Sequence, residues 1–264
     1  MPRSIGNTRL GFGCVFGVVT MLMGIPVTPA GASPAVKLDV SLQPEKLGES
    51  TTVTVAFKLR TVPNVMPSPL TTFNVHLPAG MGLASASLGV DTCSAETLLG
   101  DGPSGCPRDA AMGSGSAVAE AALGSTIVQE PGSITSFMTD ARDNNTTILY
   151  YFNGKVPVIA PLVFPSEFLS PGNSPISELD TSVPLIPALP ETPAAAIVSM
   201  RVSVGPKRLT YTKQVGGKTV SYVPVGMAVP ATCPKGGFHF SAYFAFADGT
   251  RMSATRNVKC PGRG

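Results

Sequence analysis

The chain has 264 residues, with 19 Lys and Arg against 16 Asp and Glu, 43% apolar residues and no tryptophan. A net charge of +3 is too small for the basic stripe a nucleic-acid binder needs to neutralise phosphates. Its 28 glycines and 26 prolines stay below the share typical of low-complexity disorder, so a packed core is allowed.

The first thirty-two residues read as a leader. Met1–Arg9 carries two arginines and no acid, Leu10–Val27 is an apolar run, and Ala30-Gly31-Ala32 is the small-x-small pattern of a cleavage site. Residues 1–32 are therefore expected to be a signal peptide cleaved after Ala32, with a retained membrane anchor as the competing reading. Cys14 lies inside the apolar run, away from the cleavage point, which argues against lipoprotein anchoring. Cleavage removes Arg3 and Arg9 and leaves 17 basic against 16 acidic side chains, which gives no electrostatic drive to an anionic membrane. No later apolar run has the length of a transmembrane segment. The expected location is secreted or associated with the cell envelope, where cysteines can pair.

Residues 33–264 read as all-β. Val36, Leu38, Val40 and Leu42 alternate with polar neighbours, as do Val53, Val55, Phe57 and Leu59, and then Phe73, Val75 and Leu77. Residues 116–128 and 132–138 give two weaker strands around a turn at Glu130-Pro131-Gly132. Ile148–Asn153 and Val156–Phe164 flank Gly154-Lys155 as a hairpin. In the second half, Ile197–Val204 is β-branched, and Leu209–Val215 and Lys218–Val223 flank the Gly216-Gly217 turn. Phe238, Phe240, Ala242, Phe244 and Phe246 fill one face of a strand ending at Asp248-Gly249, from which Met252–Val258 returns. Burial of such aromatics contributes about 1.5–3 kcal/mol each.

The proline-rich stretch from Pro161 to Pro193 reads as a long surface crossover that packs on the domain. The expected fold is an antiparallel β-sandwich with immunoglobulin-like layers in one domain. A subdivision near 139–146 or 165–193 is the alternative.

Cys93, Cys106, Cys233 and Cys260 survive processing. The chain-neighbour pairing, Cys93 with Cys106 and Cys233 with Cys260, is favoured over the two others. The first closes a Gly/Ser/Asp loop and the second clamps the two ends of the Phe238–Val258 hairpin. The chain-entropy model gives about 3 and about 3.5 kcal/mol for them. Spacings of 13 and 27 residues, with His76 and His239 in other segments, do not suit zinc. No redox Cys-x-x-Cys is present.

Catalytic patterns are thin. Gly113-Ser114-Gly115-Ser116 approaches a nucleophile elbow but lacks its final glycine and reads as a flexible turn. His76 and His239 fall on polar strand faces, where solvated histidines are the rule. Glu167, Glu178, Asp180 and Glu191 offer carboxylates for hydrolysis, with no fixed separation. Asp140, Asp143, Asn144 and Asn145 cluster without the alternate spacing of a calcium loop, which favours a polar turn. No catalytic, cofactor or metal residue is assigned.

Several segments resemble a family of uncharacterised exported proteins of actinobacterial type. They are Cys93-Ser94-Ala95, Gly105-Cys106-Pro107, Met112-Gly113-Ser114-Gly115, Val183-Pro184-Leu185-Ile186-Pro187, Leu209-Thr210-Tyr211, Gly217-Lys218-Thr219-Val220, Cys233-Pro234-Lys235-Gly236-Gly237-Phe238 and Phe244-Ala245-Phe246. The resemblance spans nearly all of residues 33–264. It implies export and a disulfide-bonded β fold, and no activity. The expectation is an exported, non-catalytic binding or structural protein that meets an envelope component or an apolar small molecule. The alternatives are a carrier of an apolar ligand under residues 156–189 and a carboxylate-dependent hydrolase.

Overall fold

A computed structural model describes residues 35–83, 88–154, 160–169, 177–186 and 194–260. The expected leader, residues 1–32, lies outside them. In chain order the strands are β1 (Val36–Gln43), β2 (Ser50–Leu59), β3 (Leu70–His76) and β4 (Gly82–Leu83). Helix α1 (Ala95–Gly100) and two 3-10 turns (Gly102–Gly105 and Arg108–Ala110) follow. Next come β5 (Ala111–Leu123), β6 (Thr126–Arg142), β7 (Asn145–Gly154), β8 (Ala160–Leu169) and β9 (Glu178–Ser182). The chain ends with β10 (Ala196–Val204), β11 (Tyr211–Val215), β12 (Lys218–Tyr222), β13 (Met227–Ala228), β14 (Phe238–Phe246) and β15 (Arg251–Val258).

Thirteen strands form one sheet in the order β15-β14-β3-β9-β8-β7-β6-β5-β10-β2, after which β2 takes β1 along most of its free edge and β13 at its start. β11 and β12 form a separate hairpin whose Gly216 and Gly217 both have positive φ, the geometry of its two-residue turn. The all-β, antiparallel expectation is met. The pairing is one continuous curled sheet. Among the described residues no second large sheet is hydrogen-bonded as the other layer of a sandwich.

The curl follows from contacts between strands far apart in the order. The Phe57 ring on β2 lies 5.1 Å from Phe244 on β14 and 5.5 Å from Phe73 on β3. The first and last strands, β15 and β1, meet at an ion pair, Arg256 Nη2 to Asp39 Oδ1 at 3.3 Å. Every pairing from β15 through β2 to β1 is antiparallel, and that path holds eleven strands. An odd count makes β1 and β15 run in the same direction. Only a parallel ladder could zip that seam, and none is formed among the described residues.

The inner face is apolar because these strands alternate. β14 buries Phe238, Phe240, Ala242, Phe244 and Phe246 on one side and turns His239 and Tyr243 outward. β1 does the same with Leu38, Val40 and Leu42. A smaller cluster lies on the outer face, where Leu98 of α1 packs against Phe137, Leu149 and Tyr151. This helix carries no long apolar period. Ser94 starts it, its hydroxyl accepting from the Thr97 N–H at 3.0 Å.

Three local expectations are corrected. The turn between β5 and β6 falls at Gly124, and Glu130-Pro131-Gly132 lies within β6. Among the described residues β7 pairs with β6 from Gly132 onward, so Pro131 there has β5 as its ladder partner and its missing N–H is tolerated. Gly113–Ser116 is strand, not turn. A Cβ at Gly115 would stand 1.9 Å from the Arg201 carbonyl oxygen, so glycine lets β5 and β10 approach. The Pro161–Pro193 stretch is not wholly a surface connection, because it contains β8 and β9 inside the sheet. Pro161 and Pro165 precede the part of β8 that pairs with β9 among the described residues, so neither has to donate an N–H to that ladder. The remaining prolines of that stretch up to Pro193 fall largely outside the described residues.

Candidate functional site

Three places hold chemistry: the cysteine pairs, an acidic row on the outer face, and the interior. Cys93 and Cys106 stand at disulfide distance with Cα atoms 5.4 Å apart, and Cys233 and Cys260 with Cα atoms 5.9 Å apart. The first pair ties α1 and the 3-10 turn to the outer cluster. The second joins the ends of the β14–β15 hairpin beyond its terminal Phe238–Val258 pair.

The structure brings together three of the four carboxylates considered for hydrolysis, and Glu191 lies outside the described residues. Glu167 on β8 is directly opposite Asp180 on β9, and Glu178 follows two positions away on the same face. Glu178 accepts from Asn74 Nδ2 at 2.8 Å and meets His76 Nε2 at 3.4 Å. Glu167 accepts from Asn145 Nδ2 at 3.3 Å and lies 3.8 Å from Arg142 Nη1. Asp180 stands between them. Burial, and then the charges of Glu178 and Glu167, push its carboxyl above the ordinary value of 3.8. The row can therefore hold a proton at Asp180 more readily than a free aspartate would. The tyrosine ring of Tyr243 covers His76 at 4.9 Å.

Inside the curl a cavity of about 60 Å³ is lined by side chains of eight strands, among them Val55, Phe57, Val75, Tyr150, Met200 and Met227. Phe168 and Leu179 come from the stretch expected to cover a ligand, and the rest of the wall from elsewhere. One side of the interior is polar. Tyr150 is hydrogen-bonded to Ser166, whose hydroxyl lies 2.8 Å from that of Thr181. Burial raises the Tyr150 pKa and the Ser166 bond opposes it. Ser136, opposite Tyr150 on β6, is fully buried with no hydrogen-bond partner for its hydroxyl.

The other candidates are placed as follows. His239 Nδ1 is 2.7 Å from Asn257 Oδ1 on the exposed outer face. Asp143 and Asn144 both have positive φ and make the tight β6–β7 turn, with Asp140 and Asn145 beside it. Alternation marks Tyr211 as a strand residue and gives no sign of its hydroxyl's role. Its hydroxyl accepts from the Gly89 N–H at 2.8 Å and donates to the Ala111 carbonyl, and burial pushes its pKa up to about 12. The seam cations Lys37, Lys58, Arg60 and Arg256 were also missed, since alternation marks them only as solvent-facing. Which cations become neighbours depends on register, and no single strand's sequence carries that.

Comparison of the chain with protein-family models, with curated proteins and with solved structures finds no match.

Proposed function

We propose that this is an exported, non-catalytic binding protein of the cell envelope or extracellular space that holds a small apolar ligand inside the curled sheet. The interior cavity carries the reading. It is almost wholly apolar, yet Tyr150, Ser166 and Thr181 lie along one side of the same interior. Small-molecule sites combine these two features, an apolar lining and a few placed polar groups that fix orientation. The ligand that suits it has a compact apolar body and one hydroxyl or carbonyl. At about 60 Å³ the space is smaller than the roughly 150 Å³ of an engineered cavity that takes benzene, so uptake needs Met200 and Met227 to change rotamer. Export is supported by the charge and apolar pattern of residues 1–32 and by the even set of four later cysteines.

Native purification followed by solvent extraction and mass spectrometry tests the ligand. A stoichiometric apolar molecule is expected. Val202→Phe, which fills the cavity wall, should abolish its retention while the protein stays folded. Equal retention by that variant would refute the site. N-terminal sequencing of the protein from the culture medium, expected to start at Ser33, tests export.

A second reading, carboxylate-dependent hydrolysis, draws on the adjacency of Glu167, Asp180 and Glu178. It requires Asp180→Asn and Glu167→Gln each to remove a hydrolytic activity that wild-type protein displays on glycoside or ester substrates.

A further inference from the structure

We propose that the seam between β1 and β15 is a docking groove for an acidic, extended polypeptide segment of a partner protein. This is independent of the interior ligand. The groove has a volume of about 740 Å³ and runs between Val36–Leu38 with Lys58–Arg60 on one bank and Ala254–Arg256 on the other. β1 bonds to β2 and β15 to β14. Among the described residues neither strand has a ladder on its seam side. β1 and β15 approach closely enough for Arg256 and Asp39 to bridge them, so the guest lies along the outer side of the seam, over backbone groups that have no ladder partner there.

The charge of the groove selects the guest. Lys37 and Lys58 are directly opposite one another in the β1–β2 register, an arrangement that repels. Neither forms an ion pair among the described residues. Arg60 extends the same bank, and Arg256 faces them, engaged by Asp39 in a half-exposed pair. Carboxylates spaced along an extended chain would relieve the Lys37–Lys58 repulsion. A second hollow of about 230 Å³ shares Ala35, Leu59 and Arg60 with the groove, and there Val62 and Val65 are exposed. It gives an apolar residue of the guest a seat. An apolar shelf beside the cations suits a polypeptide better than a polyphosphate, which does not use it.

The test uses the full chain and a fluorescein-labelled decapeptide of alternating Glu and Val, with its Lys-Val counterpart as control. Fluorescence anisotropy should show at least about tenfold tighter binding of the acidic peptide, roughly 1.4 kcal/mol. Hydrogen exchange should slow at the amides of 36–38 and 254–256. K37E/K58E should reverse the preference, and should that variant not fold, K58Q should weaken the acidic peptide alone. Equal affinity for both peptides, or binding without amide protection at the seam, overturns the proposal. So does heparin binding that matches the acidic peptide. Seam amides already protected before peptide is added, whether by residues 1–34 or by a second copy at rising concentration, overturn it as well.

Discussion

The wall formed by β5, β6 and β7 and the seam between β1 and β15 belong to one sheet, but different forces hold them. In the wall, strands of 13, 17 and 10 residues are joined by tight turns and zipped by antiparallel ladders on both sides of β6 over Gly132–Phe137. At the seam two edge strands run in the same direction with one half-exposed ion pair between them. Local connection explains the contrast. A hairpin sets register through its turn, whereas the seam's partners are some two hundred residues apart and are brought together only by the curl.

The largest expected effect breaks the wall. Gly115→Val places a side chain into the Arg201 carbonyl and should cost more than about 4 kcal/mol, or prevent folding, as read by urea denaturation. Next, Cys233→Ser with Cys260→Ser frees the hairpin that forms one bank of the seam and should cost about 3.5 kcal/mol. Tyr211→Phe removes the hydroxyl that links Gly89 to Ala111 at the start of β5. Leaving those buried backbone groups unpaired should cost about 1–3 kcal/mol.

A smaller effect is pH-dependent. The raised pKa of Asp180 means that the folded protein holds this proton more tightly than the unfolded chain. The stability it contributes is present below pH 3.8 and is lost as the pH rises through the folded value. Asp180→Asn should therefore be more stable than wild type at neutral pH, with the gap closing on acidification. A gap that widens toward low pH would contradict the raised pKa. The smallest effect belongs to the seam: Asp39→Asn should cost less than about 1 kcal/mol and that loss should vanish in high salt. A larger loss would show that the seam is closed by more than its ion pair.

Period-two alternation located β1, β2, β10, β14 and β15 within a residue or two, and β3 except for its first three residues, because each has one face in a continuous core. The same rule reached β8 only as far as Phe164, because the prolines around it suggest a loop until its one-sided pairing is known. It also missed α1, which at six residues is too short to show a helical period. The cysteine partners were legible because both pairs are local in sequence. The acidic row was half legible: Glu178 and Asp180 are two residues apart, but Glu167 joins them only through the β8–β9 register. The lysine pair at the seam was hidden for the same reason.

The odd strand count has a mechanical consequence. Because β1 and β15 run in the same direction, the start of β1 at Val36 and the end of β15 at Val258 lie at opposite ends of the seam. Tension applied through the two ends of this region would load the seam in shear. The Arg256–Asp39 contact is the ion pair that spans this line, beside the ladders that tie β1 to β2 and β15 to β14. The curl thus has a built-in line of parting, along which it could open lengthwise with its other ten strand pairings intact.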